Sequence, residues 1–180
     1  MGASGWSYFV PYQSDVQSAF EALQIDVFQT RSYSSLWTKS EALQHLEKQI
    51  SKVDDEFDDE VMREAIKEDL TTRLNRLISL PQPTSLLEEI DELRIINAEE
   101  GTHSILDMRG VSEEPNYMRV APLNDEELKS LFGTTRPTKE TVEHQKELLV
   151  SKRHTWMGTY IVLFKDDKHH EIMFVGASGD

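Results

Sequence analysis

Cysteine is absent from this chain of 180 residues. Disulfides, thiolate zinc sites and a cysteine nucleophile are therefore excluded, and we expect a cytoplasmic protein because a chain without cysteine suits a reducing compartment. Glycine and proline are scarce, at 8 and 6 residues, and no apolar run approaches the length of a membrane span. The remaining composition, 38% hydrophobic and 29% charged, is typical of a globular domain without a membrane partner.

Sequence motifs for catalysis and cofactor binding are also lacking. The chain contains no Gly-x-Gly-x-x-Gly, Walker A loop, Gly-x-Ser-x-Gly elbow or His-Glu-x-x-His, so we expect no cofactor. The acidic run Asp54–Glu60 lacks the central glycine and the alternating acids of a calcium loop, and a solvated helix start explains it better. Lys152–Trp156 combines basic residues with an aromatic ring, but the overall acidity argues against nucleic acid as a partner.

What the sequence does contain is acidic charge concentrated in its middle. The chain holds 33 Asp and Glu against 19 Lys and Arg, a formal net charge of −14. Residues 54–130 carry 21 of these acids and only 8 of the bases, so this segment accounts for −13 of the −14. A field of this kind repels nucleic acid and attracts cationic surfaces.

The two ends of the chain have strand patterns. Trp6–Tyr12 is aromatic and rich in β-forming residues, and Pro11 ends it, which predicts a short strand near the start of the chain. Gly158–Phe164 and Glu171–Val175 flank a polar connection over 165–170, which predicts a hairpin. Both hairpin strands are almost continuously apolar, so we expect them in the middle of a sheet, buried on both faces and joined by the N-terminal strand.

Between these ends, apolar residues recur at spacings of three and four. The clearest stripe predicts a helix that starts at the acidic run, stops at Pro81 and contains Met62, Ile66, Leu70, Leu74 and Leu77. Other helices are predicted over about 14–28, 38–51, 84–97, 124–132 and 138–149, and further strands at His103–Met108 and Tyr117–Val120.

The order of these elements predicts an α+β fold. A small, mostly antiparallel sheet would form from the N-terminal strand and the C-terminal strands, with several helices covering it. We expect one domain over residues 1–180, with a helix-rich acidic middle at 38–97 and a strand-rich C-terminal half at 100–180.

The leading functional hypothesis is a non-enzymatic binding or inhibitor module, similar in role to an immunity protein, that docks a basic protein partner. Carboxylates would steer the encounter, while affinity needs apolar anchors inside the patch. The predicted binding residues are Asp54, Asp55, Glu56, Phe57, Asp58, Asp59, Glu60, Glu88, Glu89, Asp91 and Glu92.

Three other sites or functions stay open at this point. Residues four apart on a strand share a face, so His103 and Asp107 could serve a small hydrolase or transferase with the loop His169–Glu171, with or without a divalent metal. A second candidate is an anion site, for which Thr134, Thr135 and Arg136 precede a predicted helix N-terminus. The third is self-association through an exposed apolar patch.

Overall fold

The computed structural model describes residues 3–34, 37–98 and 100–179. Contacts divide the chain into two compact units, one of Met1–Ser34 with Glu99–Asp180 and one of Ser35–Ala98. We call the first the sheet unit and the second the helical unit. The sheet unit contains β1 (Ser4–Pro11), α1 (Val16–Gln29), a 3₁₀ turn (Ile105–Asp107), β2 (Val120–Pro122), α5 (Asp125–Phe132), α6 (Lys139–Glu143), α7 (Lys146–Val150), β3 (Met157–Lys165) and β4 (Lys168–Ser178). The helical unit contains α2 (Lys39–Glu56), α3 (Glu60–Ile78) and α4 (Leu86–Ile96).

The sheet has the order β1-β4-β3-β2 within the described residues. β4 pairs antiparallel with both β1 and β3, whereas β2 pairs parallel with β3. The predicted α+β fold with a mostly antiparallel sheet of N- and C-terminal strands is therefore confirmed, with the short parallel strand β2 as an addition.

Helices cover the sheet on both faces. On one face Phe20 of α1 meets Phe174 of β4 edge-on, with ring centroids 5.9 Å apart. On the other face Met173 and Val175 pack in a buried cluster with Val142 of α6 and Leu149 of α7. Successive residues of a strand point to opposite faces, so β4 contributes to both layers and is apolar throughout its centre.

The hairpin that joins β3 to β4 is tighter than the sequence pattern indicates. Its turn consists of Asp166 and Asp167, which have φ values of 50° and 58°. Two positive φ values at the central positions match the twist of a two-residue hairpin, and aspartate tolerates this conformation better than most residues. The remaining residues of the predicted connection belong to the strands.

The predicted strand over His103–Met108 is wrong. This segment forms a 3₁₀ turn, because the Ser104 hydroxyl accepts the Leu106 amide at 3.1 Å and the Asp107 carboxylate accepts the Thr102 amide at 2.7 Å. Short polar side chains thereby bind the local backbone groups that a strand would direct to its neighbours. The strand predicted at Tyr117–Val120 is displaced to β2, since Met118 has a φ of 54° and interrupts extended backbone.

The helical unit is built on the hairpin of α2 and α3. Its buried cluster consists of Ala42, Leu46, Val53, Leu70 and Leu77. The capping box of Thr38 and Glu41 begins α2, and Asp59 caps α3 by accepting the Met62 amide at 2.9 Å. The predicted stripe of α3 fails at its first member, because Met62 is 52% exposed. No helix in the described segments is long and apolar enough to cross a membrane.

Candidate functional site

The connection between α2 and α3 contains the acidic run. We call residues 54–62 the hairpin tip. Helix α2 continues five residues beyond the predicted end, so Asp54, Asp55 and Glu56 form its last turn, while Asp59 and Glu60 begin α3. The prediction that the whole run starts a helix is therefore wrong for its first three acids. They lie at the negative end of the α2 dipole, where carboxylates are unfavourable.

Two acids of the hairpin tip have structural partners. Asp54 accepts two hydrogen bonds from Lys67 Nζ, at 2.7 and 2.8 Å, and this hydrogen bonding lowers the pKa of its carboxyl group. Asp59 is the N-cap of α3. In contrast, four exposed acids have no hydrogen-bond or ion-pair partner among the described residues: Asp55, Glu56, Asp58 and Glu60.

Apolar side chains lie within the same hairpin tip. Val61 is 81% exposed and Met62 is 52% exposed, whereas Phe57 is half-buried against the core cluster. Val61 was not among the predicted binding residues, although a position one residue away from the apolar stripe of a helix indicates that the side chain faces solvent. The hairpin tip therefore combines unpaired carboxylates with apolar surface that the unit itself does not cover.

The acids of α4 are mostly engaged within the helical unit. Glu88 accepts hydrogen bonds from the amide and hydroxyl of Thr84, at 2.6 and 2.8 Å, which lowers the pKa of Glu88. Glu92 pairs with Lys39 at 2.8 Å, and Asp91 pairs with a neighbouring arginine. Glu89 is left as the exposed acid of this helix without a partner among the described residues. Internal pairing therefore occupies most of the predicted binding residues on α4, and the unpaired ones are concentrated in the hairpin tip.

In the sheet unit, Asp107 is the centre of a buried hydrogen-bond network. Its Oδ2 accepts the Ser178 hydroxyl at 2.5 Å, and the Ser178 oxygen accepts Trp6 Nε1 at 3.1 Å. Its Oδ1 accepts the Thr102 amide, and both Asp107 and Ser178 are at most 2% exposed. The carboxylate therefore links the end of β4 to the 3₁₀ turn through a hydrogen bond. No local sequence pattern indicates the contact between Asp107 and Ser178, because the two residues are 71 positions apart in the chain.

Close packing surrounds this network. The indole of Trp6 lies over Gly158 and Gly176, and a Cβ on Gly176 would be 2.6 Å from Trp6 Cζ2. Nearby, His103 has a φ of 53°, and its ring lies against Gly179. The Nδ1 atom of His103 is buried and has no hydrogen-bond partner among the described residues.

Tyr8 adjoins the same network. Burial raises the pKa of the Tyr8 phenol, and the negative charge of Asp107 raises it further, against hydrogen bonds with the Ile105 backbone and the Ser104 side chain, which lower it. Because the pKa is raised overall, the phenol stays protonated at neutral pH. Trp6, Asp107 and Ser178 are therefore hydrogen-bonded within one internal network.

His103 and Asp107 are brought near each other, but not near His169–Glu171. His103 packs against Gly179, just beyond one end of β4, whereas His169 lies at the other end. Ten residues of strand separate these positions by roughly 30 Å. His169 instead contacts the rings of Tyr12 and Phe164, whose centroids are 4.5 and 4.8 Å from its own, and Glu171 pairs with Lys139 at 3.0 Å. No cluster of three potential metal ligands occurs in the part of the chain that the structure describes.

The residues of the predicted anion site contact neighbouring side chains. The guanidinium of Arg136 lies 5.5 Å from the centroid of the Phe164 ring and 3.5 Å from the Asp167 carboxylate. Thr134 accepts the Arg136 amide at 3.1 Å, and Thr135 is half-buried beside it. The helix that follows, α6, has only five residues.

Comparison with known proteins identifies no relative. No family model, no curated protein and no solved structure matches the chain. The functional argument therefore rests on the geometry of the chain's own residues.

Proposed function

We propose that the helical unit is a docking module whose hairpin tip binds a basic protein partner. The observation that carries the proposal is the position of Asp55 and Glu56 in the last turn of α2, a helix with no basic residue in that turn. Carboxylates there oppose the helix dipole, which disfavours each by about 0.3–1 kcal/mol. A cationic surface placed against the hairpin tip supplies the charge that this helix end lacks.

The exposed apolar residues support the same proposal. Charged groups at an interface mainly accelerate encounter and set orientation, while buried apolar anchors provide most of the affinity. Val61 and Met62 stand beside the unpaired carboxylates on the first turn of α3. The partner surface therefore combines lysine or arginine side chains with an apolar patch. Inhibition of that partner is one consequence such docking would have.

The hydrolase or transferase function has less support. Asp107 is buried, and its carboxylate oxygens accept hydrogen bonds from Thr102 and Ser178, so the structure shows it in an internal network rather than exposed to a substrate. The hydroxyl of Ser178 is fully buried and donates to that carboxylate. His169 lies at the far end of β4 from His103.

Binding of a defined cationic probe tests the proposal. A labelled amphipathic peptide of alternating lysine and leucine is titrated with the chain at low salt and at about 0.5 M salt, where the Debye length falls well below 8 Å. We expect binding that weakens at high salt. The variant with Asp55→Asn, Glu56→Gln, Asp58→Asn and Glu60→Gln should bind about tenfold or more weakly at low salt, since exposed charge pairs contribute roughly 0.2–1 kcal/mol each.

A matched control removes the same number of charges elsewhere. The variant with Glu113→Gln, Glu114→Gln, Glu143→Gln and Glu147→Gln changes exposed acids of the sheet unit and should bind the probe nearly as the native chain does. Equal weakening in both variants would mean that net charge alone attracts the peptide, and the proposal would be wrong. Once the hairpin tip is shown to bind, capture from lysate with the native chain and the tip variant in parallel identifies the natural partner.

A further inference from the structure

The outer edge of β1 carries backbone groups that no described residue satisfies. Tyr12 donates its amide to the carbonyl of His170 at 3.0 Å, which continues the β1–β4 register. In an antiparallel ladder, inward-bonding and outward-facing residues alternate. The even-numbered residues of β1 therefore bond to β4, while Gly5, Ser7 and Phe9 direct their N–H and C=O groups away from the sheet.

The position of Pro11 agrees with this assignment. Proline lacks an N–H and is tolerated on an edge strand where that group would face solvent. Pro11 is odd-numbered and pairs with Glu171, so its missing donor removes no bond to β4. Gly5 is exposed, and Ser7 and Phe9 are half-exposed, so all three outward-facing residues have solvent contact.

The two edges of the sheet differ in their protection. The other edge strand, β2, has only three residues, ends in Pro122 and is bridged on its outer side through Val111. β1 has eight residues, and none of them is charged. Edge strands normally avoid pairing with other chains by being short, by carrying lysine or by being covered. Apart from the proline at its end, β1 has none of these protective features.

We propose that β1 pairs with β1 of a second copy of this chain, antiparallel and around a two-fold axis at Ser7. In this register Ser7 of one copy faces Ser7 of the other, and Gly5 faces Phe9 on both sides of the axis. Each of these pairs exchanges both of its backbone hydrogen bonds, so all three free residues are satisfied. The two sheets join into one continuous sheet, an isologous interface that closes after two copies.

The chemistry of the edge favours a second copy over another occupant. Unpaired N–H and C=O groups at this spacing require an extended backbone as their partner. In a chain with a net charge of −14, a self-contact must avoid placing carboxylates opposite one another, and β1 is an uncharged strand.

Light scattering coupled to gel filtration, at increasing concentrations of the full chain, gives the first test. We expect a species of twice the 20.8 kDa chain mass. Ser7→Lys places two like charges directly opposite each other and should raise the dissociation constant about tenfold or more. Ser7→Thr keeps a small polar side chain with high strand propensity and should leave the dimer intact. A native chain that stays monomeric at every concentration overturns the proposal.

Single cysteines give a second test that does not depend on a disruptive variant. Because the chain contains no cysteine, Ser7→Cys introduces a unique thiol whose two copies lie on strands with Cα atoms about 5.5 Å apart. A short bismaleimide should link them into a covalent dimer. The matched control is Ser130→Cys, an exposed residue of α5, which should remain monomeric. Equal cross-linking of both variants, or none at position 7, would contradict the Ser7 register, and species larger than two copies would contradict the closed interface.

Discussion

Neutralising the acids at the end of α2 should stabilise the folded protein. Asp55 and Glu56 occupy the last turn of α2, are exposed and have no partner among the described residues. In the double variant Asp55→Asn, Glu56→Gln, two unfavourable interactions with the helix dipole disappear, each about 0.3–1 kcal/mol. Because both side chains are exposed, the sum of the two contributions lies near the low end of its range. We therefore expect a gain of about 1 kcal/mol in the free energy of unfolding of the segment containing α2.

Urea denaturation followed by far-ultraviolet circular dichroism measures this gain. For a chain of this size, about 1 kcal/mol corresponds to a rise of roughly 2–4 °C in the melting temperature. The two compact units can unfold in separate steps, and in that case the helical transition is the one that should shift. The same variant should bind the cationic probe more weakly, so that stability and binding change in opposite directions.

Glu60→Gln is the control variant, for which we expect a change in the free energy of unfolding of the opposite sign. Glu60 lies in the first turn of α3, where a carboxylate favours the helix, so its neutralisation should cost about 0.3–1 kcal/mol. All three acids repel their neighbours in the hairpin tip, and that repulsion falls in every variant. A gain for both changes would therefore indicate general charge repulsion, and no gain for Asp55→Asn, Glu56→Gln would refute the dipole argument.

Three further changes test the sheet unit by denaturant unfolding. Gly176→Ala places a methyl group against the indole of Trp6 and should cost about 1–3 kcal/mol; a smaller cost when Trp6→Phe is also present would confirm the contact. Ser178→Ala removes the hydroxyl donor to Asp107 and should cost about 1–3 kcal/mol, because the buried carboxylate loses a partner; a neutral effect would contradict the network. Glu127→Gln should destabilise the chain at pH 7, and the difference should shrink in acid.

The pH dependence expected for Glu127→Gln follows from the hydrogen-bond partners of the Glu127 carboxyl group. Partial burial acts to raise the pKa of Glu127, but hydrogen bonds from Arg153 and the Asn124 amide outweigh it, so the pKa is lowered overall. A lowered folded pKa stabilises the protein above the unfolded value of about 4.3 and ceases to do so as pH falls through the folded value. Glu126→Gln, an exposed neighbour, is the control. A deficit for Glu127→Gln that persists undiminished in acid would contradict the ion pair.

Periodicity in the sequence was sufficient for the elements with long, regular patterns. The almost continuous apolarity of Gly158–Phe164 and Glu171–Val175 identified the central hairpin, and spacings of three and four identified the longer helices. The single helix predicted over 138–149 is instead two short helices, α6 and α7. The pattern over His103–Met108 wrongly predicted a strand. The Ser104 and Asp107 side chains bind nearby backbone groups, and the spacing of apolar residues does not reveal such hydrogen bonds. The predicted end of α2 was too early, because polar residues occur both in the last turn of a helix and in the loop that follows it.

The sequence by itself determined the absence of thiol chemistry, the acidic middle of the chain and the class of the fold, because composition and local period are properties of the chain alone. Tertiary structure decided which acids are free. Asp54 and Glu92 are paired and Asp55 is not, and only packing brings Lys67 and Lys39 to the first two. It also decided which residues of β1 bond to β4 and which face away from the sheet, since hydrogen-bond direction follows from register between strands distant in sequence. Long-range contacts set both outcomes, and no local pattern encodes them.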